Sequence, residues 1–108
     1  MLKGTIIENS LNNKEILKKL QIDKTWRDGD WIFHAVQIQK NKIPELQKSL
    51  NDGPWYIHLW KTGKYDVRVI FKNKTFTIKS SDKSTWTDAI NYGRSLKIPL
   101  DQLDFLIY

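Results

Sequence analysis

The chain has 108 residues, 40% of them apolar and 28% charged, with eighteen Lys/Arg against twelve Asp/Glu for a net charge of +6. That length and balance predict one globular domain spanning residues 1–108, with about two-thirds of the unfolded surface buried, and exclude collagenous, mucin-like and broadly disordered classes. Cysteine is absent, which removes disulfides, thiolate zinc sites and thiol nucleophiles; with no signal peptide and no apolar run near the ~18 residues of a membrane span, a cytoplasmic protein without a membrane partner is expected.

In chain order, residues 5–8 are short and β-branched and read as a first strand. Asn12 and Asn13 then offer an N-cap to a short helix with Ile16, Leu17 and Leu20 on one side. Residues 22–27 and 31–39 read as two strands around Asp28-Gly29, a strong hairpin signal. Pro44 suits the first turn of a second helix, where its missing N–H costs nothing, with Leu46 and Leu50 facing inward and Asp52-Gly53-Pro54 stopping it.

Residues 55–61, 66–72 and 75–79 form a predicted β-meander, with turns at 62–64 and 73–74. Thr85 with Asp88 three residues on reads as a capping box for a helix over 85–96. Its inward set is Trp86, Ala89, Ile90, Gly93 and Leu96, with Gly93 implying close packing against a neighbour. Pro99 ends this helix, and 100–108 can add one turn and an apolar tail that docks either on its own domain or in a partner's groove. The order of elements predicts an α+β fold with a ferredoxin-like β-α-β-β-α-β antiparallel sheet, extended by a β-hairpin and a C-terminal helix.

The chain resembles a family of small uncharacterised prokaryotic proteins. The resemblance runs through Lys3-Gly4-Thr5-Ile6-Ile7-Glu8 and Asp52-Gly53-Pro54-Trp55-Tyr56. It is sharpest in Tyr92-Gly93-Arg94-Ser95-Leu96-Lys97-Ile98-Pro99 and Gln102-Leu103-Asp104-Phe105, and it covers nearly the full length. It implies a complete protein and carries no activity, cofactor or catalytic residue with it.

Charge and aromatics supply the candidate surface. Residues 61–83 hold seven Lys/Arg against two Asp, a local +5 that either attracts phosphates or an acidic partner, or is a solvated lysine-rich hairpin. Five Trp, four Tyr and four Phe are the most unusual feature of the composition. Strand alternation puts Tyr56, His58 and Trp60 on one side of their strand, and Arg68, Ile70 and Lys72 opposite the apolar set Val67, Val69 and Phe71 on the next. On an open sheet face Tyr56, His58, Trp60, Arg68, Lys72 and Lys79 would share one surface, aromatics among cations. Alternatively the Trp86/Ile90 stripe of the last helix covers that face and makes Trp60 core.

His34 alternates with Ile32, Val36 and Ile38 and reads as a satisfied core histidine, whereas His58 is the better functional candidate. No metal-ligand spacing, phosphate-cradling glycine loop or nucleophile elbow is present, so no cofactor, metal or catalytic residue is expected. The preferred reading is a non-enzymatic interaction module for a protein partner or for self-association, contacting it through Tyr56, Trp60 and Arg68 with Lys72 and Lys79 in support. The alternative is a nucleic-acid-binding or RNA-cleaving protein using His58. A third reading, a small-ligand binder, requires a concave pocket lined by the aromatics.

Overall fold

The computed structural model describes residues 1–105. Six strands, β1 (Leu2–Ile7), β2 (Gln21–Asp28), β3 (Trp31–Ile38), β4 (Ile57–Trp60), β5 (Asp66–Ile70) and β6 (Thr75–Lys79), make one antiparallel sheet in the order β2-β3-β1-β4-β5-β6. The connections hold two α-helices, α1 (Ile43–Lys48) and α2 (Thr87–Ser95), and several 3-10 turns. The fold is α+β, as the pattern of elements predicts.

The ferredoxin-like expectation needs correction. No α-helix links β1 to β2; the connection holds 3-10 turns at Glu8–Ser10 and Lys14–Lys19. Asn13 caps the second of these by accepting a hydrogen bond from the Glu15 N–H at 3.1 Å. The segment takes the tighter 3-10 form and still delivers Ile16 to the core. Past β4 the sheet continues into the β5–β6 hairpin, the extension the order of elements predicts. α1 carries Pro44 in its first turn as expected and buries Leu46 completely.

The start of α2 also differs. Thr85 and Asp88 make no capping box; Lys83–Trp86 is a 3-10 turn capped by Asp82, whose carboxylate accepts from the Ser84 N–H at 3.0 Å. The Thr85 hydroxyl instead bonds the Asp82 carbonyl at 2.7 Å and accepts from the Lys79 N–H at 2.9 Å, tying the helix start to β6. At the other end of α2, Ile98 N–H bonds Gly93 carbonyl and Lys97 N–H bonds Arg94 carbonyl, with Lys97 at φ +67°. This is a Schellman end with lysine where glycine is usual. Leu103 lies over Gly93, which accounts for the glycine: a Cβ there would stand 2.6 Å from Leu103 Cδ2.

The sheet carries two apolar clusters, one on each face. On the first face Ile6, Val36, Ile38, Ile57, Leu59 and Ile70 pack against Leu11, Ile16 and the α1 side chains Ile43 and Leu46. On the second, Val67, Val69, Phe71 and Ile78 pack against Trp86 and Ala89 of the last helical segment and against Ile98, Leu103 and Phe105 beyond it. The first cluster spans β1, β3, β4 and β5; the second is confined to the β4–β6 half. Among the described residues no helix is long and apolar enough to cross a membrane.

Candidate functional site

Register decides which side chains share a face, since residues opposite each other in an antiparallel pair project to the same side. Trp60 stands opposite Val67 and His58 opposite Val69, so both face the second cluster. Arg68 stands opposite Leu59, on the first face. The expected common surface of Tyr56, His58, Trp60, Arg68, Lys72 and Lys79 is therefore split between the two sides of the sheet. The alternation within each strand was sorted correctly, but the pairing of the two strands' faces was not.

Two of the three candidate cations have structural partners. Lys72 Nζ donates to the carbonyls of Leu50 at 2.6 Å and Lys48 at 3.3 Å, satisfying acceptors at the end of α1. Lys79 Nζ bonds Asp66 Oδ1 at 3.0 Å, an exposed pair across β5 and β6. Trp60 and Tyr56 are half-buried and packed against the second cluster, and the Tyr56 hydroxyl donates to the Gln102 carbonyl at 2.5 Å. The chain from α2 to Phe105 thus covers much of the side of β4 that an open face required. Trp86 satisfies its indole N–H on the Lys79 carbonyl at 2.7 Å.

The two histidines lie on opposite faces, so they cannot act as one acid–base pair. His34 pairs across β1 with Ile6 on the first face and is buried, with Thr25 Oγ1 2.8 Å from Nδ1 and Glu8 Oε1 3.0 Å from Nε2. It is the satisfied core histidine its alternation suggests. His58 stacks between Tyr56 and Trp60, with ring centroids 6.1 and 5.3 Å away, and meets the edge of Phe105. Burial among these rings pulls its pKa below the ordinary histidine value, against a smaller upward pull from Asp104.

Beyond the reach of α2, the second face opens into a cleft of about 610 Å³. Thr5 and Ile7 of β1, Phe33 of β3 and His58 of β4 line it from the sheet. Asp28 and Trp31 line it from the β2–β3 hairpin, and Pro54, Trp55 and Tyr56 from the loop that enters β4. Ile98 and Gln102 close the side toward the second cluster. Its volume and apolar, aromatic lining are those of a small-molecule site.

Local sequence explains how the two walls are held. The hairpin has a two-residue loop, Gly29-Asp30, with positive φ at Gly29 alone, the pattern of a type II′ turn. Gly53 at φ +114° lets the chain turn sharply, with the Trp55 N–H bonding the Gly53 carbonyl at 2.9 Å. Asn9 joins the two: its side chain donates to the Asp30 carbonyl at 3.1 Å and accepts from the Ile32 N–H at 3.2 Å. Its own carbonyl takes a bond from the Asn51 side chain at 3.2 Å. Trp31 and Trp55 then meet with centroids 5.3 Å apart and planes tilted by 53°, forming a corner. Beside them Trp26 stacks on Phe33 at 5.5 Å, with Lys24 Nζ 5.6 Å above the indole.

Of the residues singled out from sequence, Tyr56 and His58 line this cleft; Trp60, Arg68, Lys72 and Lys79 do not. Trp31, Phe33 and Trp55 were missed as site residues. Trp31 and Phe33 do alternate with His34 and Val36 in the sequence, so their shared face was legible; the coming together of Trp31 and Trp55, 24 positions apart, was not. Among the described residues no three His, Asp or Glu side chains converge as metal ligands would. Comparison of the chain with family models, with curated proteins and with solved structures found no match.

Proposed function

We propose that this protein is a non-enzymatic binding module that takes up a small organic group in the aromatic cleft. The observation that carries this reading is a cavity of about 610 Å³ walled by Trp31, Phe33, Trp55 and Tyr56, on a rigid sheet and two braced loops. Trp31 is 43% exposed, an arrangement that leaves a large apolar side chain in water unless something covers it. The direct test is a fragment titration of the full chain followed by the indole N–H resonances. Compounds that bind are expected to move Trp31 and Trp55 together, and a Trp31→Ala variant to lose them. Binding scattered over the surface, or unchanged in Trp31→Ala, overturns the reading.

The stacked Trp26–Phe33 pair beneath Lys24 supports a second reading, single-stranded nucleic acid stacked on an exposed platform. Fluorescence anisotropy with RNA and DNA at about 50 and about 200 mM salt separates the two. Binding that weakens steeply with salt and fails in Trp26→Ala favours the nucleic acid. On either reading, the strands that cross over a neighbour, β1 to β2 and β3 to β4, support a ferredoxin-like ancestry for the β1–β4 half with its first helix reduced to turns, in a protein we take to work in the cytoplasm.

A further inference from the structure

We propose that the ligand of the cleft carries an alkylated ammonium cation, a quaternary or trimethylated nitrogen. This rests on the cleft being a binding site and specifies what enters it. Three observations point to it. First, Trp31 and Trp55 meet in a tilted corner, their ring centroids 5.3 Å apart, with Phe33 and Tyr56 lining the same cleft. Ring faces carry negative potential, so a cation held against the exposed faces of these rings is attracted to them.

Second, charge is distributed against the rest of the molecule. The chain is +6 overall, yet none of its eighteen Lys and Arg is among the described residues that line the cleft. The one carboxylate there is Asp28, whose side chain makes no ion pair or hydrogen bond among the described residues. His58, the other titratable group that could oppose a cation, is packed against Tyr56, Trp60 and Phe105, and its burial disfavours the charged form. The lining of this aromatic cleft thus holds no Lys or Arg and one carboxylate, in a protein that is basic overall.

Third, the lining selects among cations. A primary ammonium must replace three N–H hydrogen bonds on leaving water, and beside the rings, Ile7, Pro54 and Ile98 the side-chain oxygen acceptors of the lining are those of Thr5, Asp28, Tyr56 and Gln102. A quaternary nitrogen has no N–H to satisfy and presents methyl groups to the rings, so it loses least on entry.

The experiment compares choline with 3,3-dimethylbutan-1-ol, the neutral compound of the same shape with carbon in place of nitrogen. Both are titrated into the full chain at neutral pH and followed at the Trp31 and Trp55 indole N–H resonances. Choline is expected to bind about tenfold more tightly than the alcohol. Asp28→Asn, which keeps shape and removes charge, is expected to weaken choline several-fold and leave the alcohol unchanged. Equal binding of the two compounds overturns the cation assignment while leaving the cleft a binding site. If neither moves Trp31 or Trp55, the assignment also falls, and the fragment titration decides separately whether the cleft binds anything.

Discussion

Gly4 shows how much one missing Cβ matters in the middle of this sheet. A Cβ at that position would stand 2.5 Å from Leu59 Cδ2 and 2.8 Å from the His58 carbonyl oxygen. The Leu59 side chain can yield, but the carbonyl belongs to the β4 backbone beside it. Gly4→Ala is therefore expected to destabilise the fold by about 1–3 kcal/mol, read as a lower midpoint in urea unfolding. At His58, burial lowers the folded pKa below the unfolded value of 6.5. The unfolded chain then binds the proton more readily, so the stability contributed by neutral His58 is complete above pH 6.5 and is lost as pH falls from there through the folded pKa. His58→Phe, which keeps a ring between Tyr56 and Trp60, is expected to flatten this part of the pH–stability curve relative to wild type. Thermal melts between about pH 5 and pH 7.5 check it, and an equal slope in both proteins would sink the account. Neither effect was legible in the sequence: Gly4 and His58 acquire their neighbours only once β4 is laid beside β1.

The connecting elements follow local rules that the sequence states well and context amends. The hairpin at Gly29, Pro44 at the start of α1 and the tight packing at Gly93 were all legible, because each depends on a residue's own backbone or on spacing along the chain. The start of α2 was not, because Thr85 found better partners in β6 and the turn before it than in its own first turn. Lys97 at φ +67° is the one non-glycine with positive φ among the described residues, and it occupies the left-handed position of the Schellman end. Lys97→Gly should accordingly stabilise the protein by about 1 kcal/mol, measured as a rise in melting temperature. Asn9 spans the hairpin and the loop before β4 through three hydrogen bonds. The two made by its side chain are lost in Asn9→Ala, at an expected cost of about 1–2 kcal/mol and with weaker ligand uptake in the cleft. Faster amide exchange at Ile32 is the local signature to look for.

At the scale of the whole molecule, fold class was readable from the sequence because the periods of two and of about 3.6 are written in adjacent residues. The site was not, since it depends on the register between strands and on how far along the sheet the last helical segment reaches. The aromatic composition points to Tyr56 and His58 but not to their companions: one step of parity between β4 and β5 puts Arg68 on the other side. The same parity brings Ile57 and Leu59 to one apolar cluster and Tyr56 and Trp60 to the other. A protein with two cores on opposite sides of a sheet invites the expectation of two melting steps. Here the cores share a strand residue by residue, so neither can come apart without withdrawing the alternate side chains of β4 from the other. Calorimetry is expected to show one transition, with the enthalpy of a single cooperative unit. Destabilisation by Leu46→Ala in one core would then lower the melting point of the other by the same amount, and a ligand held at the β4 rim would steady both at once.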